Sequence, residues 1–138
     1  EHRMKTDIGA WEEEQNRKMN VVIDRLQGID GVSLSVDPDA NGNPFSRARV
    51  TIASDRTGLS AAVLCAAMAA GDPSISLRGH HTDEGYFNVD TIEMNDDEVA
   101  LTCDRLEGFL TASETEKDKL VEEYGRAHTN DYRKVWLG

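Results

Sequence analysis

Residues 59–70 are apolar on nearly every side and are rich in alanine. A helix that is hydrophobic all round has to be buried. The sequence Gly71-Asp72-Pro73 follows directly, and it ends such a helix sharply because proline cannot continue it. Alanine side chains are small, so a neighbouring backbone can approach closely. The segment therefore predicts a buried helix packed against a sheet.

Four short segments alternate apolar and polar residues, which is typical of half-buried β-strands. They lie near residues 32–36, 47–53, 74–78 and 86–90. The turn-rich segment 37–44 separates the first two and predicts a hairpin with a long loop. We expect the third and fourth strands to pair across residues 79–85.

Two further segments show helical spacing. Residues 8–27 place apolar side chains at steps of three and four. Asn95 and Glu98 resemble a capping box, and the residues after them continue with one apolar stripe. Ser113 and Glu116 repeat that pattern ahead of a weaker helix. These segments predict one helix before the predicted strands and two helices after them.

The resulting element order, α-β-β-α-β-β-α, predicts an α+β fold. We expect a mostly antiparallel or mixed four-stranded sheet with helices packed on one face. Residues 1–112 are assigned to this small α+β domain, and residues 113–138 to a C-terminal helix and tail.

The chain has 15 Lys and Arg against 26 Asp and Glu, a net charge of −11. Such an acidic chain is a poor partner for nucleic acids and for anionic membrane surfaces, because both are bound through basic residues. The longest apolar run is also far below the roughly 20 residues that span a bilayer. We therefore expect neither nucleic acid nor membrane as a partner.

The two cysteines, Cys65 and Cys103, lack CxxC spacing. They predict buried thiols in a reducing compartment, with a disulfide as the alternative, and we expect a cytoplasmic protein. The chain opens on Glu1 rather than methionine, so we expect it to be processed or cut from a longer protein.

The densest polar cluster runs from Arg78 to Tyr86 and follows a predicted strand. Arg78 lies opposite the apolar face of that strand, so its guanidinium offers a planar fork to a carboxylate or phosphate. The alternative is an ordinary ion pair with an acidic residue. His80 and His81 are adjacent and would point to opposite faces of an extended segment, which makes one shared zinc ion awkward. Our candidate substrate-binding residues are Arg78, His80, His81 and Tyr86.

Common catalytic motifs such as GxSxG, the P-loop, HExxH and GxGxxG after a strand are missing from the sequence. The runs 52–58, 60–63, 71–75, 77–78 and 85–90 nevertheless resemble the C-terminal part of selenocysteine-synthase-like proteins, which are pyridoxal-phosphate (PLP) enzymes of the aspartate aminotransferase fold. The resemblance is nearest to the subgroup that includes D-glucosaminate-6-phosphate ammonia-lyase, and covers roughly residues 10–110.

The resemblance implies a small domain that packs beside a larger domain of the same protein, which carries the PLP-binding lysine. It implies that Arg78 binds the carboxylate of an amino-acid-like or phosphorylated amino-sugar substrate, and that the full-length enzyme is a lyase or transferase. No lysine of this chain has the strand-to-loop setting of a PLP lysine; those present are Lys5, Lys18, Lys117, Lys119 and Lys134. We expect PLP to be bound mainly outside this chain.

Three functions stay open from the sequence. The first is the small domain of a PLP-dependent lyase or transferase, which is not active alone and is a homo-oligomer at full length. The second is a stand-alone α+β module that binds a small anionic ligand. The third is a non-catalytic interaction domain in which the Arg78 cluster is a surface network.

Overall fold

The computed structural model describes residues 2–38, 46–92 and 94–125. Helix α1 begins at His2, six residues earlier than the sequence predicts, and ends two residues before Gly28. Short turns of 3-10 and π geometry occupy Thr82–Glu84 and Val121–Gly125. The regular elements are α1 (His2–Leu26), β1 (Val32–Pro38), β2 (Ser46–Ile52), α2 (Ser54–Thr57), α3 (Ala61–Ala70), β3 (Tyr86–Val89), α4 (Asp96–Leu110) and α5 (Glu114–Leu120).

The three strands form one antiparallel sheet in the order β1-β2-β3. Val50 of the central strand lies opposite Leu34 on one side and Phe87 on the other. The predicted α+β class and the hairpin of the first two strands are therefore confirmed. The turn-rich loop between them falls mostly outside the described residues, since 39–45 are not described.

The prediction of a fourth strand at 74–78 is wrong, and with it the exact element order. The amide of Ile75 donates to the carbonyl of Met68, so this segment stays bound to the end of α3. Only Arg78 reaches the sheet, where its amide and carbonyl pair with Asn88 at 3.0 and 3.1 Å. One bridge is too short for a strand. The alternation of 74–78 instead reflects a connection that runs along the edge of β3.

The core lies between one face of the sheet and the helices. Ala48, Val50, Phe87 and Val89 point from the strands into it and are fully buried. Helix α3 is confirmed as a buried helix, and its N-terminus is capped by Ser60, whose hydroxyl accepts from the amide of Val63. The helices and the strand face share one apolar cluster of buried residues, to which α1 adds Met19, Val22 and Leu26 and α4 adds Val99, Cys103, Leu106 and Leu110.

The ends of α4 and α5 show how local sequence fixes helix starts. Asn95 and Glu98 form the predicted capping box, with each side chain accepting from the other residue's amide. At α5 the Ser113 hydroxyl accepts from the amide of Glu116, which is one half of the same pattern. Leu120, the last residue of α5, and Tyr124, which lies beyond it, also pack against the core. Within the described ranges, no helix combines the length and the apolar content that crossing a bilayer requires.

Candidate functional site

The second face of the sheet is polar, and we call it the polar face. Because successive side chains of a strand point to opposite faces, this face carries the strand residues that do not enter the core. The register sets Ser35, Arg49 and Asn88 side by side across the three strands, and Arg78 extends this row beyond the edge of β3. The row places the candidate ligand-binding Arg78 and a second arginine, Arg49, on the same surface with Asn88 between them. The polar face comprises Ser33, Ser35, Asp37, Arg47, Arg49, Thr51, Tyr86 and Asn88, with Arg78 and Asp90 at its edge.

Arg78 is held at three points. Its backbone makes the two hydrogen bonds to Asn88, and its Nε donates to Oδ2 of Asp90 at 3.2 Å. The Nη1 and Nη2 atoms make no hydrogen bond to any of the described residues. The side chain is 46% exposed. The Nη pair, which can form a bidentate fork to a carboxylate, is therefore unoccupied by the described residues, while Nε is held by Asp90.

A second cluster, the Tyr86 cluster, surrounds the ring of Tyr86. The guanidinium of Arg49 lies 3.9 Å from the centre of that ring, within the range of a cation–π contact. The ring of His81 stacks on the same tyrosine with centroids 5.1 Å apart. His81 Nδ1 lies 2.7 Å from Oε2 of Glu84, which closes the 3-10 turn on itself.

Asp37 joins β1 to the other two strands on this face. Its Oδ2 accepts from Arg49 Nε at 2.7 Å and from Asn88 Nδ2 at 3.0 Å. Burial acts to raise the pKa of Asp37, but the hydrogen bonds from Arg49 and Asn88 and the positive charge of Arg49 act together to lower it, and the pKa lies below the ordinary aspartate value. The hydrogen bond to Asp37 in turn raises the pKa of Arg49. Both groups are charged throughout the physiological range.

The structure places three of the four predicted site residues near this face. His81 and Tyr86 are in contact with each other, and Arg78 lies across the same edge strand, on the far side of Asn88. His80 is exposed and makes no hydrogen bond or ring contact with the described residues. The substrate-binding role of all four remains a prediction.

Five residues that are hydrogen-bonded to one another on the polar face were not singled out by the sequence: Asp37, Arg47, Arg49, Asn88 and Asp90. Alternation along β2 puts Arg47 and Arg49 on the face away from the core. Only the pairing register of the three strands shows that they lie beside Asp37, Asn88 and Asp90. Asp37 in particular reads as the start of a turn, although β1 continues through it. The sequence signal for Asp37 and Asp90 is an acidic residue within two positions of a strand end.

The described residues offer no lysine suited to hold PLP on this face. Lys18 is buried on α1, where its Nζ donates to the carbonyls of Ile92 and Met94. Lys117 and Lys119 lie on α5, outside the sheet. A PLP site made by the described residues alone does not fit this arrangement.

No group of three histidine, cysteine or acidic side chains able to hold a metal occurs in the described ranges. Cys65 and Cys103 are both free thiols, and burial raises the pKa of each to about 11. Cys103 is buried and Cys65 half-buried. Neither carries the thiolate that nucleophilic or redox chemistry needs at neutral pH.

Comparison with known proteins gives two similarities of limited extent. No family model matches the sequence. The 5'-C-glycyluridine monooxygenase-decarboxylase of Streptomyces sp is 34% identical over 97 residues, which cover 70% of this chain and 24% of that protein. The structure of D-glucosaminate-6-phosphate ammonia-lyase matches with a TM-score of 0.59 and 22% identity, covering 78% of this chain and 26% of the other.

The chain spans about a quarter of the length of each relative. The structural match shows a shared fold with part of the ammonia-lyase that the sequence motifs also resemble.

Proposed function

We propose that this chain is the small domain of a PLP-dependent lyase or transferase, and that Arg78 binds the carboxylate of the substrate. The observation that carries the proposal is the state of the Arg78 side chain. Its Nε is occupied by Asp90 while its Nη fork has no partner among the described residues. A planar guanidinium binds a carboxylate through two parallel hydrogen bonds. A guanidinium that is already held in position loses less conformational freedom when it binds.

The two relatives support this proposal. Both similarities cover most of this chain but only about a quarter of each relative, as expected for one domain of a longer enzyme. One relative is named as an ammonia-lyase and the other as a monooxygenase-decarboxylase, and the names of both point to substrates with an amino and a carboxylate group. We therefore propose an amino-acid-like or phosphorylated amino-sugar substrate.

The cofactor lysine would come from a larger domain of the same protein. The described lysines lie on α1 and α5, away from the polar face, so this chain would supply substrate contacts and no covalent cofactor bond. We also propose that the full-length enzyme is a homo-oligomer. The 138-residue chain by itself should be inactive.

The first test is the full-length gene product and its cofactor. The full-length protein should purify with a PLP absorbance band that borohydride fixes onto one lysine outside this chain. The isolated 138-residue chain, titrated with PLP, should give no stoichiometric adduct. An adduct on Lys18, Lys117 or Lys119, or a gene that encodes little beyond this chain, would overturn the proposal and leave an anion-binding module or an interaction domain.

The second test is kinetic and uses the full-length enzyme with D-glucosaminate-6-phosphate and 5'-C-glycyluridine as probe substrates. Arg78→Ala should lower kcat/KM by roughly 30- to 1000-fold, by analogy with truncating one partner of a buried charge pair. Arg78→Lys should also be impaired because it keeps the charge but loses the fork. His80→Ala and His81→Ala should cost less. Wild-type kcat/KM in Arg78→Ala would overturn the role of Arg78.

A further inference from the structure

Asp90 is the residue that fixes the direction of Arg78. It follows β3 directly, and both of its carboxylate oxygens are engaged. Oδ1 accepts from the backbone amide of Ile92 at 3.2 Å, which ties the side chain to its own turn. Oδ2 accepts from Arg78 Nε at 3.2 Å and from Arg47 Nε at 3.5 Å. The Asp90 side chain is 23% exposed, about half the exposure of Arg78.

These contacts make Asp90 a rigid anchor. The hydrogen bond through Oδ1 ties the carboxylate to its own turn, and the other oxygen, Oδ2, contacts Arg78 at Nε. Arg47 reaches the same oxygen from β2, one position beyond the Ala48–Val89 pair of the register. Because one carboxylate oxygen binds Arg78 at Nε alone, the Nη1 and Nη2 atoms are left for a ligand.

We propose that Asp90 is a positioning residue, which holds the guanidinium of Arg78 with its Nη fork turned toward a monocarboxylate ligand. The ligand part of this inference rests on the proposed function, whereas the orientation of Arg78 does not. Misplacing a binding group by about 1 Å can cost on the order of 100-fold in rate, so an anchor of this kind affects activity without touching substrate.

The matched pair of variants is Asp90→Asn and Asp37→Asn. Both aspartates lie on the polar face and accept from an arginine Nε, but Asp37 holds Arg49 and has no contact with Arg78. In Asp90→Asn the single amide oxygen can accept hydrogen bonds either from the Ile92 amide or from the two arginines, but not from both sides. The NH₂ group, itself a donor, repels the donors on the other side. Asp37→Asn removes the same charge from the same face and leaves the Arg78 anchor intact.

In the full-length enzyme with the same two probe substrates, Asp90→Asn should lower kcat/KM by about 10-fold, mainly through KM. Asp37→Asn should stay within about 3-fold of wild type. The double variant Arg78→Ala with Asp90→Asn should be no worse than Arg78→Ala alone, because an anchor has no effect once its arginine is gone. Additive losses, or wild-type kinetics in Asp90→Asn beside a defective Arg78→Ala, would overturn the positioning role and leave the proposed function standing.

The orientation itself is measured without any substrate, by the ¹H–¹⁵N signal of the Arg78 Nε–H in the 138-residue chain. Arg78→Lys identifies that signal by removing it. In wild type and in Asp37→Asn, the chemical shift of this Nε–H should differ from that of exposed arginines, and its hydrogen should exchange slowly with water. In Asp90→Asn the chemical shift should match that of exposed arginines and the exchange should be fast. A signal that Asp90→Asn leaves unchanged would overturn the inference, whatever the kinetics of Arg78→Ala say about the proposed function.

Discussion

The two faces of the same small sheet follow different rules. Phe87 and Asn88 are neighbours on β3, yet Phe87 is fully buried against the helices while Asn88 lies on the polar face beside Arg78. The core face is held by apolar contact with no directional preference. The polar face is held by hydrogen bonds between charged groups, which fix directions but add little stability near solvent. Stability and candidate function therefore occupy opposite sides of one strand.

The core face should give the largest effect. Phe87→Ala removes a fully buried aromatic ring from the centre of the apolar cluster, and the free energy of unfolding should fall by about 3–5 kcal/mol. Urea denaturation followed by circular dichroism measures the loss. Phe87→Leu is the control, and should lose much less because it keeps most of the volume. A loss below about 1 kcal/mol in Phe87→Ala would mean that the cluster is not the source of stability.

An intermediate effect should come from Asp37, which links all three strands on the polar face. Asp37→Asn should lower the Tm at pH 7 by about 3 °C, since a partly exposed ion pair is worth on the order of 1 kcal/mol. The pKa of Asp37 is lowered in the folded state, so its contribution is complete above the unfolded value of about 3.9. It disappears as the pH falls through the lower folded pKa.

The difference in Tm between wild type and Asp37→Asn should therefore be constant from pH 8 to pH 5 and shrink below about pH 4. Thermal melts across that range measure it. A difference that grows as the pH falls would assign the effect to another group.

The smallest effect on stability should come from Arg78. Its side chain makes one hydrogen bond within the described residues and is nearly half exposed, so Arg78→Ala should change the Tm by no more than about 1 °C. Thermal melts of Arg78→Ala and wild type measure this change in Tm. A large drop in Tm would place Arg78 in a structural network and would remove the contrast between the two faces.

Much of the local structure could be predicted because it depends on neighbouring residues. The Asn95–Glu98 capping box, the buried alanine-rich helix that ends before Gly71 and the alternation of β1, β2 and β3 all follow from short sequence patterns. The segment 74–78 shows the limit of such patterns. It alternates like a strand, but the hydrogen bond from Ile75 to Met68 ties it to α3, and alternation does not reveal where a backbone amide finds its acceptor.

The candidate site divides in the same way. The sequence by itself determined that Arg78 leaves the apolar layer, that Tyr86 begins a strand, and that β2 carries Arg47 and Arg49 opposite its buried residues. Only the tertiary structure decided that Asp90 occupies the Nε of Arg78, and that Asp37 and Tyr86 hold Arg49. The physical reason is that alternation assigns a residue to a face, whereas its partners on that face depend on strand register and on contacts between residues 12 to 51 positions apart.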